Sequence, residues 1–175
     1  MLNMSKKYIH RRRGAGGFTL IELLLIVALT LIMTAISIPT VRSTIASYQL
    51  AGAVDSASGA IQGTRYQAIM HGYSYQVDIN STTNQYQVLS EVPPATTFTA
   101  AGSAVPISTT GVAIGVGTAS SGLAGHLILQ FRPNGSVSVT SGQAPPMTFT
   151  IAYNGTTKHF KVSNYGSISI TTTTP

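Results

Sequence analysis

The chain of 175 residues has room for about one domain. Its ten Lys and Arg residues and four Asp and Glu residues give a formal net charge of +6. Taken alone, this balance suggests a nucleic-acid partner, but only 8% of the residues are charged. Cysteine is absent, which excludes a disulfide framework, a zinc site with cysteine ligands and a cysteine nucleophile.

The N-terminal region combines a basic segment with a long apolar one. Residues 18–38 form an apolar run with one charge, Glu22. As a helix this run spans roughly 31 Å, enough to cross a hydrocarbon core of about 30 Å. A basic flank ahead of a first span predicts a cytoplasmic N-terminus and export of the rest. The basic residues of this flank are Lys6, Lys7, Arg11, Arg12 and Arg13.

Three interpretations of this region compete. A cleaved secretory signal peptide has an apolar region of about 7–15 residues and an Ala-x-Ala-like site, and neither fits here. A plain membrane anchor explains the length and the basic flank. It does not explain Glu22, because an unpaired carboxylate in lipid costs a few kcal/mol.

The third interpretation accounts for every feature. The string GFTLIE at residues 17–22, between a basic segment and an apolar helix, resembles the class III leader of type IV pilins and pseudopilins. In that family a prepilin peptidase cuts after the glycine and methylates the new N-terminus. The resemblance implies a leader at residues 1–17, a cut between Gly17 and Phe18, and N-methylation of Phe18.

The cut gives Glu22 a physical role. It creates an ammonium group four residues before Glu22, so that stacked subunits can pair this amine with a neighbour's carboxylate and set their register during filament assembly. Pro39 also fits the family, in which a proline at this distance breaks or kinks the helix as it leaves the membrane.

The pattern of apolar residues over 39–70 predicts that the helix continues through this segment and is amphipathic. Apolar residues recur mostly at three- and four-residue steps and form one stripe. Three glycines, Gly52, Gly59 and Gly63, reduce helix propensity within this segment. The stripe consists of Val41, Ile45, Leu50, Val54, Ala57, Ile61 and Ala68.

From residue 71 the apolar period changes to two, which predicts an antiparallel β-domain over residues 71–175. Alternating runs flank Asn134-Gly135 and Asn154-Gly155, and Asn-Gly between such runs is a strong hairpin signal. Residues 92–131 carry no charge and predict a surface loop, within which VPIS and GVAIGVG are candidate short strands.

Two further stretches resemble the GspH/FimT branch of the pilin-like family. TRYQAIMHGYSYQVDI, residues 64–79, is similar to the pattern that ends the long helix in that branch and includes Arg65. FRPNGSV, residues 131–137, is similar to its Phe-x-Pro-x-Gly turn through Phe131, Pro133 and Gly135. The resemblance implies an α+β, type IV pilin-like fold: a long N-terminal helix, membrane-spanning in its first half, packed on an antiparallel β-sheet domain.

The branch implies two alternative functions. One is a minor pseudopilin of the type II secretion pseudopilus, acting in protein export across the outer membrane. The other is a FimT-like minor pilin of a type IV pilus, some members of which contribute to DNA uptake. Either function implies a single-pass inner-membrane protein with a periplasmic C-terminal domain. The partners that the resemblance implies are the prepilin peptidase, membrane lipid before assembly, and other major and minor pseudopilins.

The residues give little support for catalysis, a cofactor or a metal. His71, His126 and His159 are far apart in sequence, without metal-ligand spacing. The family's DNA-binding members carry a Gly-Arg-x-Arg motif, where residues 166–169 here read Gly-Ser-Ile-Ser. Lys158 and Lys161, placed on one face beside an outward His159, could neutralise about two phosphates. We therefore expect a structural subunit that is not an enzyme and does not bind nucleic acid.

Overall fold

A computed structural model describes residues 17–108, 111–116, 125–138 and 146–173. The predicted leader, apart from Gly17, lies outside these residues. The chain divides into two compact units, Met1–Arg42 and Ser43–Pro175.

One long helix, α1, covers Leu20–His71. It begins where Thr19 accepts hydrogen bonds from the backbone of the first turn, and it ends before Gly72, which has a φ of 73° and whose N–H donates to the Ala68 carbonyl at 3.1 Å. A glycine in the left-handed region after the last turn is a common helix stop.

The β-strands form two sheets in which every pairing is antiparallel. Sheet A has the order β3-β2-β1-β6-β7, with β4 also paired to β2. Sheet B has the order β10-β9-β8-β5. The strands are β1 Tyr75–Asn80, β2 Gln85–Ser90, β3 Thr99–Ala100, β4 Val105–Pro106, β5 Ala113–Val116, β6 His126–Phe131, β7 Val137–Ser138, β8 Met147–Tyr153, β9 Thr156–Val162 and β10 Ile168–Thr173.

The core lies within the unit Ser43–Pro175, between the helix and the inner faces of both sheets. The strands β6 and β8 contribute alternate residues to it, as a strand period of two requires. In sheet B, Phe149 and Phe160 are directly opposite each other, and their ring centroids are 4.4 Å apart. The fully buried side chains include Ala57, Ile61, Ala68, Val77, Ile79, Leu129, Phe131, Phe149, Ile151, Phe160 and Val162, at 2% exposure or less.

The α+β class with a long N-terminal helix packed on antiparallel sheets is confirmed. Both Asn-Gly hairpins form: residues 134–135 join β6 to β7, and residues 154–155 join β8 to β9. The predicted period of two in β1 holds in part: Val77 and Ile79 are buried in the core and Asp78 between them is less buried, but Gln76 is also buried.

The structure adds two details to the predictions. Burial of the predicted apolar stripe begins at Leu50, whereas Val41 and Ile45 are about half exposed. The uncharged segment 92–131 is not a loop throughout, because it contains β3, β4, β5 and β6. The candidate strand VPIS contains β4, and the candidate strand GVAIGVG contains β5. The absence of charge in this segment is therefore a property of its strands as well as of its loops.

Candidate functional site

The start of α1 has a defined cap. The backbone N–H of Glu22 donates to Thr19 Oγ1 at 3.2 Å, and the N–H of Leu23 donates to the Thr19 carbonyl at 3.1 Å. This Thr-x-x-Glu spacing is that of a capping box, a signal that sequence reasoning missed. Glu22 therefore lies in the first turn, where the helix dipole favours a negative charge.

Gly17 and Phe18 lie just ahead of this cap, in non-helical backbone. The Phe18 ring is 74% exposed. Glu22 is also exposed, and within the described residues no side chain pairs with its carboxylate. The geometry thus leaves Glu22 accessible to a partner from outside the chain, which is what the predicted pairing with a neighbour's amine requires.

The apolar segment 18–38 is exposed along its whole length. Its hydroxyl groups bond to the helix itself: Thr30 donates to the Val27 carbonyl at 2.8 Å, and Thr34 donates to the Thr30 carbonyl at 2.7 Å. Ser37 likewise donates to the Met33 carbonyl at 2.9 Å. Hydroxyl groups that bond within their own helix suit a hydrocarbon environment, which leaves the Glu22 carboxylate as the polar group of this segment that needs a partner. By length and composition, α1 is the helix among the described residues that could cross a membrane.

Pro39 lies inside α1, and the helix continues past it. Because proline has no N–H, the helix lacks one hydrogen bond to the carbonyl four residues earlier. The kink at this position stays a prediction.

At the other end of α1, the structure brings together residues from three parts of the chain. Arg65 Nε donates to the Gly135 carbonyl at 3.0 Å. A Cβ added at Gly166 would lie 2.8 Å from Arg65 Cδ and 3.2 Å from a ring carbon of Phe131. We call Arg65, Phe131, Gly135 and Gly166 the Arg65 junction. Three of its four members are family-motif positions, and the fourth, Gly166, was not among the predicted site residues.

Two turns of the same kind close around Arg65. In the β6–β7 turn, the Gly135 N–H donates to the Arg132 carbonyl at 2.8 Å. Pro133 is exposed and is the second residue of this four-residue turn, where the fixed φ of proline is favoured. In the β9–β10 turn, the Gly166 N–H donates to the Ser163 carbonyl at 2.9 Å. Both glycines have a φ near 75°, which L-residues with a side chain rarely adopt.

The outer face of sheet A carries a polar cluster that the sequence did not indicate. His126 Nδ1 lies 2.9 Å from each carboxylate oxygen of Asp78, and both side chains are 21% exposed. The Asn80 amide donates to His126 Nε2 at 3.2 Å, so Nδ1 carries the hydrogen donated to Asp78. Both ring nitrogens of His126 therefore have a hydrogen-bond partner on β1.

An aromatic cluster follows the helix end. The rings of Tyr73 and Tyr75 stack with centroids 5.2 Å apart, and their hydroxyls are 3.1 Å apart. The Tyr75 hydroxyl also lies 3.3 Å from His71 Nδ1. Burial, with the hydrogen bond to Tyr73, raises the pKa of Tyr75 to about 12. The phenol is therefore neutral at physiological pH, which suits packing.

The prediction that Lys158 and Lys161 share one face is wrong. Lys158 has the same strand parity as the buried Phe160, and its Nζ donates to Thr172 Oγ1 at 2.5 Å. Lys161 points to the outer face with His159. Residues three apart on a strand lie on opposite faces, so these lysines form no joint phosphate site.

Among the described residues, no group of three or more His, Cys, Asp or Glu side chains could hold a metal ion. His71, His126 and His159 lie on the helix end, on sheet A and on sheet B, and the structure does not bring them together.

Neither family models nor curated protein sequences match the chain. It is similar in structure to the minor pseudopilin EpsH from the type 2 secretion system of Vibrio cholerae, with a TM-score of 0.49 and 13% identity over 67% of this chain and 91% of that one. It is also similar to the type IV minor pilin FimU of Pseudomonas aeruginosa, with a TM-score of 0.49 and 13% identity over 71% of this chain and 89% of that one. These are likenesses of fold, and at this identity they transfer no residue role.

Proposed function

We propose that this chain is a minor pseudopilin, a structural subunit of a type II secretion pseudopilus that acts in protein export across the outer membrane. It enters the inner membrane through residues 18–38 with its N-terminus in the cytoplasm. The prepilin peptidase cuts it between Gly17 and Phe18 and methylates Phe18. It then joins other pseudopilins, with its β-domain in the periplasm.

One observation carries this proposal: the string GFTLIE stands between a basic segment and the apolar segment 18–38, whose side chains are all exposed. Exposing so many large apolar side chains to water is costly, at about 25 cal/mol per Å². Lipid before assembly and neighbouring helices after assembly supply the missing cover. Glu22 supports the same function, since its carboxylate is accessible and lies at the pairing position that the resemblance implies.

Two features favour the pseudopilus over a DNA-binding pilus. Residues 166–169 lack the arginines of the DNA-binding pilins, and they form part of the β9–β10 turn and β10. Lys158 and Lys161 lie on opposite faces of β9. A mobility-shift titration in detergent of the chain beginning at Phe18, without the basic leader, should therefore show no salt-dependent micromolar DNA binding. Such binding, lost on changing Lys161, would favour the pilus instead.

Processing is the first test. We expect mass spectrometry of the chain from cells with active prepilin peptidase to show a methylated Phe18 at the N-terminus, and the leader to persist in peptidase-deficient cells. An intact leader in the active cells would contradict the proposal.

Assembly is the second test. Glu22→Ala should insert and be cut normally but fail to enter filaments, because the neighbour's amine loses its partner. Asp55→Ala is the matched control, since Asp55 is an exposed acid of the same helix. Normal incorporation of Glu22→Ala, or an equal loss with Asp55→Ala, would contradict the pairing role.

A further inference from the structure

The free edges of the two sheets are protected to different degrees. In sheet A the outer strands β3, β4 and β7 have two residues each, and β4 contains Pro106. In sheet B the edge strand β10 has six residues, with neither charge nor proline. Short strands, charges and prolines are the usual devices that stop an edge from pairing with another chain. Among the described residues, β10 pairs with β9 alone and has none of these devices.

A groove lies beside the start of β10. It is lined by Gln62, Gly63 and Tyr66 of the helix and by residues 166–168, and its volume is about 560 Å³. A Cβ added at Gly63 would meet nothing within 4 Å. The space between the helix and the sheet edge is therefore large enough for several side chains.

The inner face of sheet B is incomplete at this edge. Phe160 of β9 is fully buried, whereas its register partner Ile170 on β10 is 41% exposed. Ile168, two residues earlier on the same face, is only partly buried. One more strand beside β10 would cover both isoleucines and direct its own inner side chains into the groove.

The groove also has a defined charge. Arg65 lines it, and its Nε is held by the Gly135 carbonyl at 3.0 Å. Among the described residues no carboxylate pairs with its guanidinium. A half-buried guanidinium binds a carboxylate well, because its planar donors match the two oxygens. Charge complementarity thus calls for an acidic group at the Gly166 end of β10.

We propose that β10 accepts an extended strand from a different polypeptide, not a second copy of this chain, by antiparallel strand addition. The incoming strand has apolar or β-branched side chains at alternate positions facing the groove and an acidic side chain near its C-terminal end, opposite Arg65. Main-chain hydrogen bonds give affinity in this mode, and alternate side chains give specificity. That the donor is a neighbouring filament subunit rests on the proposed function; strand addition itself does not.

The test uses the isotope-labelled full chain in detergent micelles and three capped hexapeptides. The main probe is acetyl-Thr-Val-Thr-Val-Thr-Glu-amide, whose valines and glutamate share one face. In the other two, Gln or Lys replaces the glutamate. We expect the first probe to shift and protect the amides of residues 168–173, the Gln probe to bind at least fivefold more weakly, and the Lys probe more weakly still.

Matched variants test the groove. Gly63→Leu should fold normally, since its side chain enters open space, but should weaken the Glu probe at least tenfold by filling the groove. Gly52→Leu is the control, because an added Cβ there also meets nothing within 4 Å and Gly52 does not line this groove. It should bind the probe within twofold of the unchanged protein.

Three results would overturn the inference: no shift at millimolar Glu probe, binding of the Gln and Lys probes as strong as that of the Glu probe, or binding of the Glu probe by Gly63→Leu as strong as by the unchanged protein. Protection of residues 168–173 without peptide, lost on dilution, would also overturn it by showing that a second copy occupies the edge. None of these results bears on leader processing or on the Glu22 assembly test, so the two proposals fail separately.

Discussion

The apolar segment 18–38 and the β-domain are stabilised in opposite ways. Every side chain of the segment is exposed, and its signals are local: a glycine, an acid and an apolar run within about twenty residues. The β-domain buries its apolar side chains against partners far away in sequence, such as Phe131 beside the β9–β10 turn. An apolar surface that stays exposed follows from a local run in the sequence, whereas a core forms only when residues distant in sequence come together.

The largest test of this difference is a matched pair of truncations. Phe160→Ala should reduce the free energy of unfolding of the β-domain by about 3–5 kcal/mol, because a fully buried ring leaves a cavity. Ile36→Ala, at a site 68% exposed, should leave it within about 0.5 kcal/mol. Urea unfolding of the full chain in detergent, followed by the near-ultraviolet circular dichroism of its tyrosines, measures both. Equal effects would show that the segment also belongs to the cooperative core.

The Arg65 junction gives the next largest effect. Gly166→Ala should reduce stability by about 2–3 kcal/mol, since its Cβ combines a strained positive φ with a 2.8 Å approach to Arg65 Cδ. Gly72→Ala is the control for strain alone, because Gly72 has the same φ of 73° but open space around it. We expect about 1 kcal/mol there. Similar losses in the two variants, measured by urea unfolding, would mean that the contact with Arg65 contributes nothing.

Local patterns predicted most of the fold. Period-two runs and Asn-Gly pairs placed both hairpins, and the apolar run placed the start of the helix. The Arg65 junction could be anticipated only in part, through motif resemblance, because no local pattern shows that residue 166 returns to residue 65. The Asp78–His126 pair gave no signal, as 48 residues separate its members. The opposite faces of Lys158 and Lys161, in contrast, could have been predicted from the sequence, because residues three apart on a strand point to opposite sides of the sheet.

The Asp78–His126 pair provides a smaller test of the β-domain. Asp78→Asn should destabilise the domain by about 1 kcal/mol, because it weakens a partly exposed pair between the central strands β1 and β6. A double-mutant cycle with His126→Gln isolates the interaction. A coupling energy near zero would show that the pair is a surface contact without effect on stability.

The smallest effect has the opposite sign and comes from a glycine that faces away from the core. Gly52→Ala should stabilise the chain by about 0.5 kcal/mol, because alanine is the better helix former and its Cβ meets nothing within 4 Å. The same change at Gly166 is strongly unfavourable, so one substitution distinguishes an open helix surface from a packed junction. Thermal unfolding of the two variants side by side measures the difference. A destabilised Gly52→Ala would mean that this helix face is already covered by something within the isolated chain.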